Sequence, residues 1–233
     1  IYTDVDGIFT TDPNVVSNAK KIPKVSFEEM LEMSSTGAKV LHTRSVELAM
    51  KNNLTLQVLS SLNNKEGTYV VDDKKLIEKE IVSGVSYSKN ESQITVSGIP
   101  DKPGISAKIF GIMAENNINV DMIVQNISQD GVFANLTFTV LSKDMLITKE
   151  LLEKNSSKLN YKSITTNENV SKISVIGMGM MSQSGVAQKM FKSLADNSIN
   201  ILAISTSEIK ISVLIDKTYT ELAVKSLHEI YNL

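Results

Sequence analysis

Between Gln93 and Gln125 the chain reads QITVSGIPDKPGISAKIFGIMAENNINVDMIVQ, and its apolar positions change period twice. Ile94 and Val96 alternate with polar neighbours, the period of a half-buried strand. Beyond the loop PDKPG, Ile105, Ile109, Ile112 and Met113 recur at i, i+4, i+7 and i+8, one apolar stripe of a helix. The pattern puts Pro103 in the first turn of that helix, where its missing N–H costs nothing. Asn116 and Asn117 end the helix. Val120, Met122 and Val124 alternate again as a second strand.

The same pattern returns from Ser174 to Thr206, SVIGMGMMSQSGVAQKMFKSLADNSINILAIST, at a constant separation of 81 positions. Gly104 falls on Gly185, Lys108 on Lys189, Phe110 on Phe191, Ala114 on Ala195, and Ile118-Asn119 on Ile199-Asn200. A gapless run with one periodicity beneath it makes these two copies of one small unit.

In the first copy the pattern continues with a strand over Phe133–Leu141, a helix over Met145–Lys154 and a closing strand over Leu159–Thr165. The order βαββαβ is the ferredoxin-like arrangement. The second copy gives strands Ser171–Ile176, Ile199–Thr206 and Ile209–Ile215 and helices Ser184–Asn197 and Thr218–Tyr231, and lacks its fourth strand. A spare strand, Ile81–Ser88 (IVSGVSYS), lies before the first copy. An incomplete sheet would show an unpaired apolar edge, so this strand is expected to complete the second unit. Upstream, Ser26-x-x-Glu29 is a capping box opening a helix through Met33. A second helix is expected over Ser45–Asn52, and strands over Leu54–Leu59 and Gly67–Val71. The fold class is therefore α/β (α+β). The expected domains are residues 1–72, a charged linker over 73–80, a first repeat over 91–167, and a second, discontinuous repeat formed by 81–90 and 168–233.

Composition narrows the function. The 233 residues carry 42% hydrophobic and 21% charged side chains, enough to build cores. Net charge is −2 and Lys/Arg runs stop at two or three, so neither nucleic acid nor an anionic membrane is an expected partner. There are no cysteines, which excludes disulfides and thiolate zinc sites and fits a reducing, cytoplasmic location. No apolar run reaches the ~20 residues of a bilayer span. The start IYTDVDG carries neither an initiator Met nor a signal-peptide pattern, and reads as the interior of a domain. His42 and His228 are isolated and read as structural. No metal site is expected, and Met178, Met180 and Met181 read as core or interface.

Paired βαββαβ units with a short glycine-containing loop after the first strand resemble ACT domains, small-molecule modules usually for amino acids. The resemblance covers about residues 81–233. DKPG with INVDMIVQN, and STSEIKISVLI at 205–215, are similar to the regulatory region of aspartate kinases. YTDVDGIFTTDP and GAKVLHTRSVELA resemble the end of the catalytic domain of those enzymes, which has the amino acid kinase fold. In that family the TDVDG and TTDP loops hold ATP and the Lys of GAKVLH reaches the nucleotide. The resemblance therefore implicates Thr3, Asp4, Phe9, Thr10, Thr11, Asp12 and Lys39. Read from spacing alone, Asp4, Asp6 and Asp12 are turn residues and Lys39 a surface charge. A lysine ammonium does suit the charge spread over phosphoryl oxygens in phosphoryl transfer. Two positions depart from the family pattern: Asn14 stands where Arg is usual after TTDP, and Thr43 where Pro is usual. Loss of that Arg removes a bidentate phosphate donor.

The resemblance implies MgATP as substrate of the intact enzyme, with no tightly bound cofactor. The reaction implied is phosphorylation of L-aspartate, the first step towards lysine, threonine and methionine. The family's Lys-Gly-Gly motif and aspartate-binding residues belong to sequence before Ile1. No catalytic residue is expected in this chain, and none of the reaction from it alone. The alternatives are a stand-alone ACT amino-acid-binding module and the regulatory region of another enzyme of amino-acid metabolism.

For the effector the residues give their own argument. The loop Asp101–Ser106 opens a helix, where free N–H groups and the helix dipole suit an amino acid's carboxylate. Asp101 can hold the ammonium and Gln125 can reach a side chain. Read without the family, Asp101 is equally a turn or cap residue and Gln125 an edge-strand polar residue. The family places effectors between ACT units of two chains. The resemblance thus implicates Asp101, Gly104, Ser106, Asn119, Val120, Asp121 and Gln125 of the first copy. From the second it implicates Ala187, Gln188, Asn200, Ile201, Ser207 and Glu208. It further implies lysine and/or threonine as ligand and a homodimer or higher homo-oligomer through the ACT units.

Overall fold

The computed structural model of the chain describes residues 1–76, 80–129 and 131–233. They form two compact units, residues 1–88 with 172–233, and residues 89–171. The linker expected over 73–80 lies partly outside the described residues. Within it, Asp73–Lys75 form a single 3-10 turn, capped by the Asp72 side chain on the Lys74 N–H.

The elements in chain order begin with β1 (Tyr2–Thr3), β2 (Lys24–Ser26), α1 (Phe27–Ser35), α2 (Thr43–Lys51), β3 (Leu56–Ser60) and β4 (Thr68–Val71). These strands form one sheet in the order β1-β3-β4-β2, with β1 parallel to β3, β2 parallel to β4 and β3 antiparallel to β4. Helix α1 starts where Ser26 and Glu29 close the capping box, and it continues to Ser35, a half-turn past the expected end. Helix α2 begins earlier than expected, because the His42 ring caps it by accepting the Arg44 N–H at 3.2 Å. Val25, Phe27, Met30, Met33, Val46, Val58 and Val70 make the core under this sheet.

The chain continues through β5 (Gly84–Pro100), α3 (Ile105–Glu115), β6 (Val120–Ile127), β7 (Phe133–Leu141), α4 (Met145–Lys154), α5 (Ser156–Leu159) and β8 (Ser163–Ile176). It closes with α6 (Val186–Asp196), β9 (Ile201–Thr206), β10 (Lys210–Asp216) and α7 (Thr220–Ile230). Two expectations change here. The strands read as ending at Ser88 and resuming near Gln93 are one 17-residue strand, β5. Those read as Leu159–Thr165 and Ser171–Ile176 are one 14-residue strand, β8. Neither KNESQ nor TNENVS contains a Gly, a Pro or a turn pair, and Lys89, Asn90, Asn167, Glu168 and Asn169 are exposed strand positions rather than loops. Leu159 instead ends α5, where Asn160 takes a left-handed φ of 53°. Pro103 precedes the N-cap Gly104 and so stands just outside α3.

In the unit 89–171 the strands lie in the order β6-β7-β5-β8, with β7 antiparallel to both β5 and β6. This is the ferredoxin-like order, fourth strand outermost beside the first. Ile94, Val96, Ile109, Met113, Leu136, Phe138 and Leu152 fill its core, and Phe110 meets Phe138 edge-on at 5.5 Å between ring centres.

In the other unit the order β5-β8-β10-β9 repeats that arrangement through residues 84–88 and 172–176. Gly84–Ser88 thus supply the strand missing from the second copy. The Ser83 N–H donates to Ile176 O at 2.8 Å, and Val82 and Val85 pack with Ile173, Val175, Val213 and Leu227. The two copies match in backbone detail. Gly104 and Gly185, each the N-cap of its helix, have φ of 91° and 92°. Asn117 and Ser198, just past those helices, have φ of 56° and 57°. Among the described residues no helix is long and apolar enough to cross a membrane.

Candidate nucleotide and effector sites

The residues implicated in nucleotide binding occupy the edge β1-β3 and the loops beside it. Thr3 ends β1 opposite Ser60, its carbonyl accepts the Ser61 N–H at 2.7 Å, and its hydroxyl donates to Asp4 Oδ1 at 3.0 Å. Asp4 and Lys39 are both exposed. Phe9 is half-buried, bridged through its main chain to Lys21. Asp6, in the same loop, accepts from Asn63 Nδ2 at 2.7 Å and Lys65 Nζ at 3.0 Å. The Asn63 hydrogen bond, followed by Lys65, lowers its carboxyl below the ordinary value.

Thr10, Thr11 and Asp12 turn inward instead. Thr10 is 8% exposed; its hydroxyl accepts the Lys20 N–H at 3.1 Å and lies 3.0 Å from His228 Nε2. Thr11 is buried, and its hydroxyl has no hydrogen-bond partner among the described residues. Asp12 Oδ1 accepts the Asn14 N–H at 2.9 Å and Asn14 Nδ2 at 3.0 Å, and Oδ2 accepts the Tyr87 hydroxyl at 3.1 Å. Asn14, where the family pattern has Arg, is thus engaged in holding Asp12. Burial, then the charge of Asp12, pushes the Tyr87 hydroxyl up to about 12, so it stays a donor. What this stretch presents outward is Thr3, Asp4, Phe9 and Lys39.

The implicated effector residues of the first copy all belong to the unit 89–171. Asp101 is exposed in the β5–α3 loop, which its own N–H anchors to Val132 O at 3.0 Å. Gly104 caps α3 without a side chain, leaving first-turn N–H groups for an anion. Ser106, in that first turn, donates to Gln125 Oε1 on β6 at 3.2 Å. This bond holds the Gln125 oxygen and leaves its NH2 group to donate elsewhere. Asn119 is exposed just before β6, and Val120 is its first residue. Asp121 Oδ1 accepts the Met122 N–H at 2.8 Å, inside a register shift between Asp121 and Val124 that gives Met122 a φ of 45°. The structure therefore gathers Asp101, Gly104, Ser106 and Gln125 around one helix start, with Asn119–Asp121 along the edge strand.

The second copy places its residues at the same backbone positions with different chemistry. Ala187 stands at the position of Ser106 and Thr206 at that of Gln125, so the polar pair has no counterpart. Ser182 stands at the position of Asp101, so the carboxylate is missing too. Gln188 is exposed on α6, Asn200 and Ile201 lead into β9, and Ser207 and Glu208 form the β9–β10 turn, closed by the Ser207 N–H on Lys210 O at 2.8 Å. Ala187, Gln188, Asn200 and Ile201 lie at the start of α6 and of β9, while Ser207 and Glu208 lie at the far end of β9.

Three side chains outside the expected sites organise the unit that holds the loops implicated in nucleotide binding: Tyr87, His228 and Glu29. Glu29, 2% exposed, accepts from the Ser26 N–H and hydroxyl and, at Oε1, from Ser83 Oγ at 2.5 Å and the Met178 N–H at 3.0 Å. Its capping-box position was visible in the sequence; its second pair of partners, far away along the chain, was not. Among the described residues no cluster of three His, Asp or Glu side chains forms a metal site.

The fold and these residues define a class: the end of an amino acid kinase domain joined to tandem ACT domains. Comparison with known proteins agrees. Residues 1–60 match the amino acid kinase family, and residues 92–154 and 173–231 match ACT domain models. A Helicobacter pylori aspartokinase is 50% identical over 237 residues, covering 100% of this chain and 58% of that protein. A crystallised aspartokinase of alpha and beta subunits is 46% identical, with a TM-score of 0.62, and covers 65% of this chain and 99% of its own. Escherichia coli aspartokinase III has been solved with aspartate and ADP (29% identity, TM-score 0.85, 98% of this chain, 51% of its own). It has also been solved with lysine and aspartate (30% identity, TM-score 0.78, 98% of this chain, 50% of its own). The chain belongs to the aspartokinase family, and it spans 58% of the length of its Helicobacter pylori relative.

Proposed function

We propose that this chain is the part of an aspartate kinase that carries the nucleotide-contacting end of the catalytic domain and the two ACT domains of the regulatory region. The whole protein transfers the γ-phosphoryl group of MgATP to the β-carboxylate of L-aspartate, giving 4-phospho-L-aspartate. Thr3, Asp4 and Phe9 line the nucleotide and Lys39 offsets phosphate charge; Thr10, Thr11 and Asp12 shape the loop between them. The ADP complex of the Escherichia coli enzyme supports ATP as the phosphoryl donor.

The regulatory region binds lysine and/or threonine and lowers activity. The observation that carries this is the grouping of Asp101, Gly104, Ser106 and Gln125 at the start of α3, which offers partners for both charged ends of a free amino acid. The lysine complex of the Escherichia coli enzyme supports the ligand class. The first copy is the principal ligand site, since the second lacks the matching polar side chains. Residues 91–167 form the first ACT domain, and 81–90 with 168–233 the second. β6 and β9 are edge strands of their own units with Ile123, Ile127, Leu202 and Ile204 exposed, which favours a homodimer through the ACT domains.

Thermal unfolding with millimolar lysine or threonine tests the reading, with aspartate kinase activity of the whole protein assayed beside it. A rise in melting temperature with at least one amino acid, and inhibition by that same one, is expected. An unchanged melting curve with both overturns the regulatory assignment.

A further inference from the structure

Three contacts fasten the Phe9–Asp12 loop to the second ACT copy within one compact unit. The Val85 N–H donates to Thr10 O at 2.7 Å. His228 Nε2 lies 3.0 Å from Thr10 Oγ1. The Tyr87 hydroxyl donates to Asp12 Oδ2 at 3.1 Å. Val85 and Tyr87 stand on β5 and His228 on α7, so two separate elements of the ACT copy hold the two ends of one short loop. The Thr10 pair is no loose surface contact, since His228 is 2% exposed and Thr10 8%. The Thr10 hydroxyl also accepts the Lys20 N–H, so it is tied on two sides, and which partner donates in the Nε2 pair depends on the His228 tautomer. Burial, then the charge of Lys20, lowers the His228 pKa and favours the neutral ring.

We infer that His228 and Tyr87 are positioning residues for the nucleotide: by fixing Thr10 and Asp12 they set the shape of the loop that meets ATP, and so make ATP affinity a property of the second ACT copy. The inference rests on the assignment of Phe9–Asp12 to the nucleotide site. It gives that copy, whose own helix start is poor in ligand groups, a role distinct from effector binding. Displacement of β5 or α7 in this unit moves the loop directly.

The experiment uses the whole protein, with ATP affinity by calorimetry and separate KM values for ATP and aspartate. His228→Leu and Tyr87→Phe each remove one hydrogen bond to the loop and are expected to weaken ATP about three- to tenfold. KM for aspartate stays within about twofold, and His228→Gln, which keeps a side-chain acceptor, recovers most of the ATP affinity. A purely structural role would lower the melting temperature and leave the ratio of the two KM values unchanged; that result overturns the inference. Tyr87→Phe decides the matter if His228→Leu does not fold. Lys39→Ala and Asp4→Asn serve as references. If they weaken ATP while the His228 and Tyr87 variants do not, the positioning role alone is overturned. If they too leave ATP binding unchanged, the nucleotide assignment fails and the inference falls with it.

Discussion

Glu29 and Met178, 149 positions apart, are joined by a 3.0 Å hydrogen bond from the Met178 N–H to Glu29 Oε1. The other oxygen of the same carboxylate closes the capping box of α1 on Ser26. One buried side chain thus starts a helix in the kinase part and receives the turn that follows β8 in the ACT part.

Glu29→Ala is expected to destabilise the chain by about 1–3 kcal/mol, because it strands the buried main-chain donor on Ser26 and the partly buried one on Met178. Glu29→Gln keeps the shape and one acceptor oxygen and costs less. Denaturant unfolding measures both. A loss below about 0.5 kcal/mol for the alanine variant would show that these bonds are exchanged for water at no cost.

Two glycines of the first ACT copy are expected to respond oppositely to alanine. Gly104 has a φ of 91° and open space where a Cβ would stand, so its requirement is conformational. Gly104→Ala should cost about 1–2 kcal/mol, the penalty of a left-handed backbone for an L-residue. Gly111 lies within α3 with nothing within 4 Å of an added Cβ. Gly111→Ala should stabilise by about 0.5–1 kcal/mol. Thermal melts of the two variants side by side check the sign of each.

The architecture was readable where local chemistry and long-range packing agree. The Gly104 and Gly185 repeat carries both a periodicity and a backbone requirement, so each helix appears within two residues of its expected start. The lengths of β5 and β8 were hidden because consecutive exposed polar residues, Lys89-Asn90 and Asn167-Glu168-Asn169, look like loop residues where neither face of a strand is buried. At the sites, Ser106 and Gln125 were visible as polar groups beside a helix start. The role of His228 was not, because its partner Thr10 lies 218 positions away and a single histidine has no spacing to read. Tyr87 escaped for the same reason, with Asp12 at a separation of 75.

His228 also predicts a pH dependence. Its folded pKa is held below the ordinary 6.5 by burial, then by Lys20, so the unfolded chain binds the proton more readily. The contribution is fully present above the unfolded value and is lost as pH falls through the folded value. Unfolding midpoints measured from pH 7.5 down to 5 should therefore fall more steeply for the parent than for His228→Gln. Parallel curves would show that the ring does not titrate differently in the two states.

The effector assignment makes the most direct demand on the first copy. Asp101 and Gln125 approach the same helix start from the β5–α3 loop and from β6, and Ser106 ties Gln125 there at 3.2 Å. A ligand at ~100 times its dissociation constant adds about 2.7 kcal/mol to a fold that binds it only when native, enough to read as a shift in melting temperature. Asp101→Ala removes the acceptor proposed for the ligand ammonium. A charge-assisted hydrogen bond of roughly 1.5–3 kcal/mol is lost, which is about tenfold or more in affinity. Gln125→Ala should weaken binding by less, about three- to tenfold, since it removes a neutral donor. Glu115→Ala is the control: it changes an exposed carboxylate at the far end of α3, about 16 Å along the helix from Gly104, and should leave the shift intact. Ser182→Ala, at the matching position of the second copy, should also leave it intact, because that loop has no carboxylate to lose. If Asp101→Ala binds as the parent does while either control loses the shift, the ligand sits elsewhere and the start of α3 is not the effector site.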